Sequence, residues 1–267
     1  MKNLLINYLS GDKIFESLDL EIYFNSLKKI NNADKLVVVN NVSDKNIKLL
    51  ENKYDKIVFK EAPFYYIYYK VFDVLAEYAQ DYEYALYIDT RDVVIQKNPF
   101  DYFDSKPEKD LFLVCEGMKS VENECNLYWH QLLSSTQIFP NQDGENNLII
   151  NGGTIGGRVP DYMNMLLLAM TNSNRKSSGV ITDQSIYTSL YPYLQKMKNV
   201  EICHPYTDTF CCTGEAIKRN NVDIKFINGQ ACNEDNEPYF LFHQWDRTEY
   251  ADEIRNKHKT SGMTFKI

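Results

Sequence analysis

Residues 85–95, Ala-Leu-Tyr-Ile-Asp-Thr-Arg-Asp-Val-Val-Ile, limit the folds open to this chain more than any other stretch. Residues 85–88 form an apolar run with no polar alternation, the mark of a strand covered on both faces. Such a strand needs helices above and below it, which places it in a layered α/β sheet. The run stops at Asp89, and Asp92 precedes a second apolar run at 93–95. Two carboxylates at the end of a buried strand are costly unless something cationic meets them.

The segments before this strand repeat one pattern. Residues 3–8 read as a strand and 15–30 as a helix, with Leu18, Ile22, Leu27 and Ile30 at helical spacing. A β-branched strand at 35–39, a short helix at 45–53 and a third strand at 56–59 follow. Pro63 stands where a helix can begin, and Val71, Leu75 and Ala79 mark a helix over 64–79. This strand–helix alternation implies parallel strands joined by right-handed crossovers. Sheets of that kind bind ligands beyond the carboxyl ends of their strands, where Asp89 stands.

The second half is less regular. Residues 111–115, 148–150, 201–203 and 239–242 read as strands, and 160–170 as a helix with Pro160 near its start. Thr182 is the expected N-cap of a helix over 183–190, with Asp183 at its positive end. The polar tail, 252–267, reads as partly loose. We expect one domain across residues 1–267, with halves at 1–100 and 101–250 and a tail at 251–267.

Composition narrows the function classes. With 267 residues and 44% hydrophobic content, the chain has ample material for a core. A formal charge of −8 and a pI of about 5.1 lack the basic footprint of a nucleic-acid binder. No apolar run approaches the ~20 residues of a membrane helix, and residues 4–9 are interrupted by Asn7, unlike a leader. The expectation is a cytoplasmic protein with no transmembrane segment. The six cysteines match no zinc spacing and read as small apolar residues in reduced form.

Several residues are candidates for chemistry. Asp89 and Asp92 offer hard oxygens to Mg²⁺ or Mn²⁺, ions commonly held by one or two carboxylates plus substrate phosphates. A turn with local hydrogen bonds explains the same spacing without a metal. Residues 151–158, Asn-Gly-Gly-Thr-Ile-Gly-Gly-Arg, allow close backbone approach to a ligand around Gly152 and Gly153, or a hairpin turn. His243 follows an apolar strand and can complete a metal shell. Asp183 and Gln184 at a helix start suit sugar hydroxyls, or capping alone. Lys70 and Arg91 can neutralise phosphate charge.

In this order the motifs resemble the GT-A fold glycosyltransferases, and within them the glycogenin and lipopolysaccharide galactosyltransferase type. The likeness runs through Tyr87-Ile-Asp-Thr-Arg-Asp, Asn151-Gly-Gly, Thr182-Asp-Gln and Phe242-His-Gln-Trp-Asp-Arg, with Gln96-Lys-Asn-Pro-Phe after the acidic motif, and covers roughly residues 1–250. It implies a Rossmann-like, mostly parallel α/β sheet with helices on both faces, whose first half binds a nucleotide. It also implies transfer of a sugar from a nucleotide-diphosphate donor to an acceptor hydroxyl. The architecture and compact size point to surface glycan synthesis, with a glycan or lipid-linked acceptor, the latter requiring peripheral docking on a membrane. Asp89, Asp92 and His243 would hold Mn²⁺ or Mg²⁺. Asp183 would act as base or orient the sugar, and Arg91, Lys70, Gly152, Gly153 and Gln184 would contact the donor. One departure stands out: Arg91 occupies the place of the usual second aspartate, and the next carboxylate is Asp92. Arg91 therefore supports a competing reading, a degenerate subunit that binds without catalysing. A nucleotidylyltransferase would need a basic glycine-rich loop after the first strand, where Ser10-Gly11-Asp12 stands. A haloacid-dehalogenase-type phosphatase would need a different carboxylate spacing.

Overall fold

The computed structural model describes residues 2–60, 67–134, 144–172, 183–220 and 224–259. In chain order the strands are β1 (Lys2–Ser10), β2 (Ala33–Asn40), β3 (Lys56–Phe59), β4 (Tyr82–Ile88), β5 (Val93–Ile95), β6 (Leu111–Lys119), β7 (Leu148–Arg158), β8 (Val200–Cys203), β9 (Cys211–Thr213), β10 (Lys225–Ile227), β11 (Gln230–Cys232) and β12 (Leu241–His243). The helices are α1 (Leu18–Ser26), α2 (Asp44–Leu50), α3 (Ile67–Tyr78), α4 (Pro99–Asp104), α5 (Glu124–Ser134), α6 (Val159–Asn172), α7 (Asp183–Leu194), α8 (Gly214–Asn220) and α9 (Ala251–Lys259).

Seven strands form the central sheet in the order β3-β2-β1-β4-β7-β6-β8. Strands β1 to β4 pair in parallel, as do β6 and β8, while β7 runs antiparallel between β4 and β6. The result is the Rossmann-like, mostly parallel α/β sheet that the strand–helix alternation implies. Alternation along β1 sorts the core into two layers. Leu4 and Ile6 join α3, α6 and α7 through Val71, Leu166 and Leu190. Leu5 and Leu9 join α1, α2 and α4 through Leu20, Leu50 and Phe100. Asn7, the polar interruption of β1, is fully buried. It donates to the Ile88 carbonyl at 2.7 Å and accepts from the Tyr23 and Tyr54 hydroxyls, so no polar atom is stranded there.

Several boundaries differ from the sequence reading. The helix expected over 15–30 is three pieces: a 3-10 turn at Lys13–Glu16, α1, and a turn at Leu27–Lys29. Ser17 breaks the run because its backbone is extended and its hydroxyl accepts from the Asp19 amide. The glycine-rich stretch is no hairpin: β7 continues through it to Arg158, paired on both sides. Part of the tail expected to be loose is α9, whose Ile254 is buried beside Trp245 and whose Arg255 bonds Asp19 of α1 at 3.2 Å. Helix α7 runs past 190 with Pro192 inside it. Proline has no N–H for the Thr188 carbonyl, and the Asn147 side chain donates to that carbonyl instead at 3.0 Å. Thr182, Pro63, residues 64–66 and residues 260–267 lie outside the described residues. All six cysteines are free, five of them buried.

No helix among the described residues is long and apolar enough to cross a membrane.

Candidate functional site

The acidic motif sits where β4 leaves the sheet. Tyr87 pairs with Ile155 and Ile88 with Thr154 on β7, and the Asp89 amide donates to the Gly153 carbonyl at 2.8 Å. The chain then turns, and Asp92 opens β5. Strand β5 belongs to a second, three-stranded sheet in the order β5-β12-β9. There His243 pairs with Val93 across an antiparallel ladder, which carries its ring to the residue after Asp92. His243 is the last residue of β12 itself rather than the residue after a strand. The turn beyond it is tight: Gln244 takes a left-handed conformation (φ 58°). That conformation is unfavourable for a residue with a Cβ, and it is held by the Gln244 amide on the Asp92 carbonyl at 2.6 Å and the Glu215 amide on the Gln244 side chain at 3.1 Å.

Asp89, Asp92 and His243 each turn one ligand atom toward a common point, all within 4.8 Å of one another. The His243 Nε2 lies 3.5 Å from Asp92 Oδ1 and 3.8 Å from Asp89 Oδ2. The opposite ring nitrogen faces the Thr154 hydroxyl at 3.4 Å. The other oxygen of Asp89 accepts from the Tyr87 hydroxyl at 2.7 Å. His243 and Asp89 therefore each have a partner on the far side that orients them, the arrangement typical of metal-binding histidines and carboxylates.

Charge balance differs between the two aspartates. Burial raises the Asp89 pKa, and His243 only partly offsets it; the side chain keeps 35% of its surface open. Burial also works against the charged form of Asp92, but His243, Arg91 and Arg247 overcome it, and that carboxyl is held well below its ordinary value. Its Oδ2 has Arg91 at 3.5 Å and Arg247 at 3.8 Å. For His243, burial favours the neutral ring, but Asp92, Asp89 and Glu116 prevail and raise its pKa.

Asp89, Asp92, His243, Glu116 and Arg247 line one cavity of about 300 Å³ at the carboxyl ends of the parallel strands, together with Gly152, Gly153, Asp183 and Gln184. The glycines are selected by space, since neither has a positive φ. A Cβ on Gly153 would fall on the Asp89 carboxylate and within 2.5 Å of His243 Cε1, and one on Gly152 would lie 2.8 Å from Asp183 Oδ1. Asp183 begins α7, which is fastened to β7 by the Ile150 amide on the Thr188 hydroxyl at 3.0 Å. Burial first, and then the charge of Asp89, push the Asp183 pKa up to about 7.

Gln184 is already engaged, accepting from the Gly152 amide at 3.4 Å and donating to Asn126 at 3.1 Å, so it braces the wall. Arg91 is about half exposed and meets the site through Asp92. Lys70 is not among the lining residues; its ammonium pairs with Asp73 one turn along α3, at 3.8 Å. Other residues were not among the candidates read from the sequence. Glu116, Asn126, Trp129 and Glu215, which no motif marks, line the cavity. Thr154 and Tyr87, inside the glycine-rich and acidic motifs, orient His243 and Asp89. Arg247 also lines the cavity and closes the Phe242-His-Gln-Trp-Asp-Arg motif.

A scan of the chain against protein-family models finds no match, and a search of curated proteins finds none either.

Proposed function

We propose that this protein is a glycosyltransferase that moves a sugar from a nucleotide-diphosphate donor to an acceptor hydroxyl, with Mn²⁺ or Mg²⁺ at Asp89, Asp92 and His243. The convergence of those three side chains beside Gly152, Gly153 and Asp183, at the carboxyl ends of the parallel strands, carries this reading. The residues fit such an ion. Adjacent ligands of an octahedral ion at ~2.1 Å stand about 3 Å apart and opposite ones about 4 Å; His243 Nε2 stands 3.5 and 3.8 Å from the two carboxylates, between those values, and all three ligand atoms lie within 4.8 Å of one another. Two carboxylates with one imidazole suit Mn²⁺ somewhat better than Mg²⁺. When bound there, the ion supplies positive charge that stabilises a departing diphosphate.

The chain's own residues divide the remaining work. Arg247, with Arg91 at the rim, adds fixed positive charge on the diphosphate side. The glycines let a donor sugar approach β7 closely. Asp183, able to exchange a proton near neutral pH, stands where it can bond that sugar or serve as a base. The proposed setting is surface glycan synthesis on the cytoplasmic side of a membrane, with a glycan or lipid-linked acceptor. Arg91 and Arg247 already neutralise Asp92, which favours, as second reading, a binding subunit that releases no nucleotide.

The test is a thermal-shift panel of UDP, GDP, CDP and dTDP with and without Mn²⁺. A ligand at about 100 times its Kd adds about 2.7 kcal/mol, roughly 5 to 10 °C for a domain of this size. A shift that requires Mn²⁺ and is lost in Asp92→Ala supports the reading. No shift with any nucleotide defeats it. A Mn²⁺-dependent shift with no nucleotide release from the matching sugar donor selects the binding subunit.

A further inference from the structure

Building on the transferase reading, we propose that the acceptor is a neutral saccharide and that Trp129, Asn126 and Glu116 form its subsite. Besides the metal ligands, the glycines and Asp183, the cavity is lined by Asn126 and Trp129 of α5 and Glu116 of β6. Asn126 and Trp129 stand three residues apart on α5, hence on one face. Asn126 is 5% exposed, and its carbonyl oxygen is taken by Gln184. Its NH₂ group has no acceptor among the described residues. Glu116 is 2% exposed; one carboxylate oxygen accepts from Asn151 at 3.1 Å, and the other has no donor among the described residues. Asn151 in turn accepts from the Gly153 amide at 2.9 Å, which ties Glu116 to the strand beside the metal ligands.

The lining chemistry separates acceptor classes. Among the described residues, the lining sets Asp89, Asp92, Asp183, Glu116 and Glu215 against one fixed cation, Arg247. With the ion and Arg247 committed to the donor diphosphate, a second anion would find no further fixed cation among the described lining residues. An alkyl chain would find few apolar neighbours among them, because Ile67 and Trp129 are their large apolar side chains. A sugar ring matches: its C–H face covers an indole, and its hydroxyls take an amide N–H and a carboxylate oxygen. A free glycan and the sugar of a lipid-linked one share this chemistry.

Trp129 also reports on the subsite. The chain has two tryptophans, and Trp245 is fully buried, so a ligand entering the cavity perturbs Trp129 emission. The experiment titrates the protein with methyl glycosides of glucose, galactose, mannose and N-acetylglucosamine, with lactose and maltose, and with octyl glucoside; glycerol and glucose 6-phosphate serve as controls. At least one neutral glycoside is expected to shift the emission, and the controls to leave it unchanged. Preference for octyl over methyl glucoside marks a lipid-linked source; equal response marks recognition of the ring alone. Glu116→Gln should weaken the response tenfold or more, about 1.4 kcal/mol. Trp129→Leu, read by calorimetry with Trp245 emission confirming its fold, should weaken binding at least as much. Silence from every glycoside, stronger binding of the phosphate sugar, or unchanged affinity in both variants overturns the subsite. A Mn²⁺-dependent nucleotide shift without a saccharide response removes this inference and leaves the transferase reading. A saccharide response without any nucleotide shift keeps the saccharide subsite but removes the transferase reading and, with it, the role of acceptor.

Discussion

The parallel half of the molecule and the half that follows contribute to one site by different means. In the first half, β1 to β4 pair with one another, all within residues 2–88, and alternate residues fill two core layers. In the second, His243 reaches Asp92 through a short β5–β12 ladder that joins segments far apart in sequence. Gln96 secures that junction: its side chain donates to the Ala231 and Tyr239 carbonyls at 2.9 and 3.0 Å and accepts from the Ala231 amide at 2.8 Å. The first half therefore presents a carboxylate on a rigid edge. The second half depends on long-range contacts, the kind that form late and weaken first. Stability and site geometry should be separable in the first half and coupled in the second.

The largest effect is expected from Gly153→Ala. Its methyl group would strike Asp89 and His243, and disturbing two ligands at once should cost at least the roughly 10- to 100-fold in metal affinity that losing one orienting partner costs. Calorimetry with Mn²⁺ and the matching nucleotide should show that loss. Gly156→Ala, on the same strand but against the Ala85 carbonyl and Phe103, should instead cost about 1–3 kcal/mol of stability through overpacking. Equal effects of the two substitutions on Mn²⁺ affinity would undo the assignment of Gly153.

Next comes a matched pair that addresses the comparison directly. Leu36 on β2 and Leu241 on β12 are both fully buried. Each change to Ala should cost about 2–5 kcal/mol in urea unfolding. At temperatures where both variants remain folded, Leu36→Ala should keep its Mn²⁺ affinity, and Leu241→Ala should lose part of it as the β5–β12 ladder loosens. If both lose affinity alike, the two halves are not distinct in this sense. A smaller effect is expected of Thr154→Val, which removes the hydroxyl behind His243. Loss of such an orienting partner lowers metal affinity by about 10- to 100-fold, visible in a Mn²⁺ titration.

The last effect concerns pH. Asp183 has an ordinary value near 3.9 when unfolded and about 7 in the fold. Between those values the folded state binds the extra proton, so this group makes stability fall as pH rises from about 4 to about 7. Asp183→Asn should flatten that slope in metal-free protein, read from urea midpoints at several pH values. An unchanged slope would show that burial does not hold the proton on Asp183.

Much of the frame was legible in the linear pattern. The uninterrupted apolar run ending at Asp89 and the strand–helix alternation before it lead to the parallel sheet, because burial on both faces and short crossovers leave few other arrangements. Asp89, Asp92, Asp183 and His243 were recognisable as residues in search of partners. The continuation of β7 through its glycines was not legible. Glycine favours turns in isolation, and only the neighbouring β4 and β6, with Asp89 and Asp183 against the glycines, make an extended path the fitting one. Residues 252–259 read as polar tail because the surface that receives Ile254 and Arg255 is assembled from α1 and the segment at Trp245.

By itself, then, the sequence determined the layered α/β architecture and the chemical types available at the strand ends, since both follow from local periodicity and side-chain chemistry. Tertiary structure alone decided which of those groups meet. It set Lys70 beside Asp73, engaged Gln184 with Asn126, and brought Glu116 and Trp129, which no motif marks, to the same cavity as Arg247. Contacts of that kind arise from strand register and helix placement across long chain separations, and residue spacing carries no record of them.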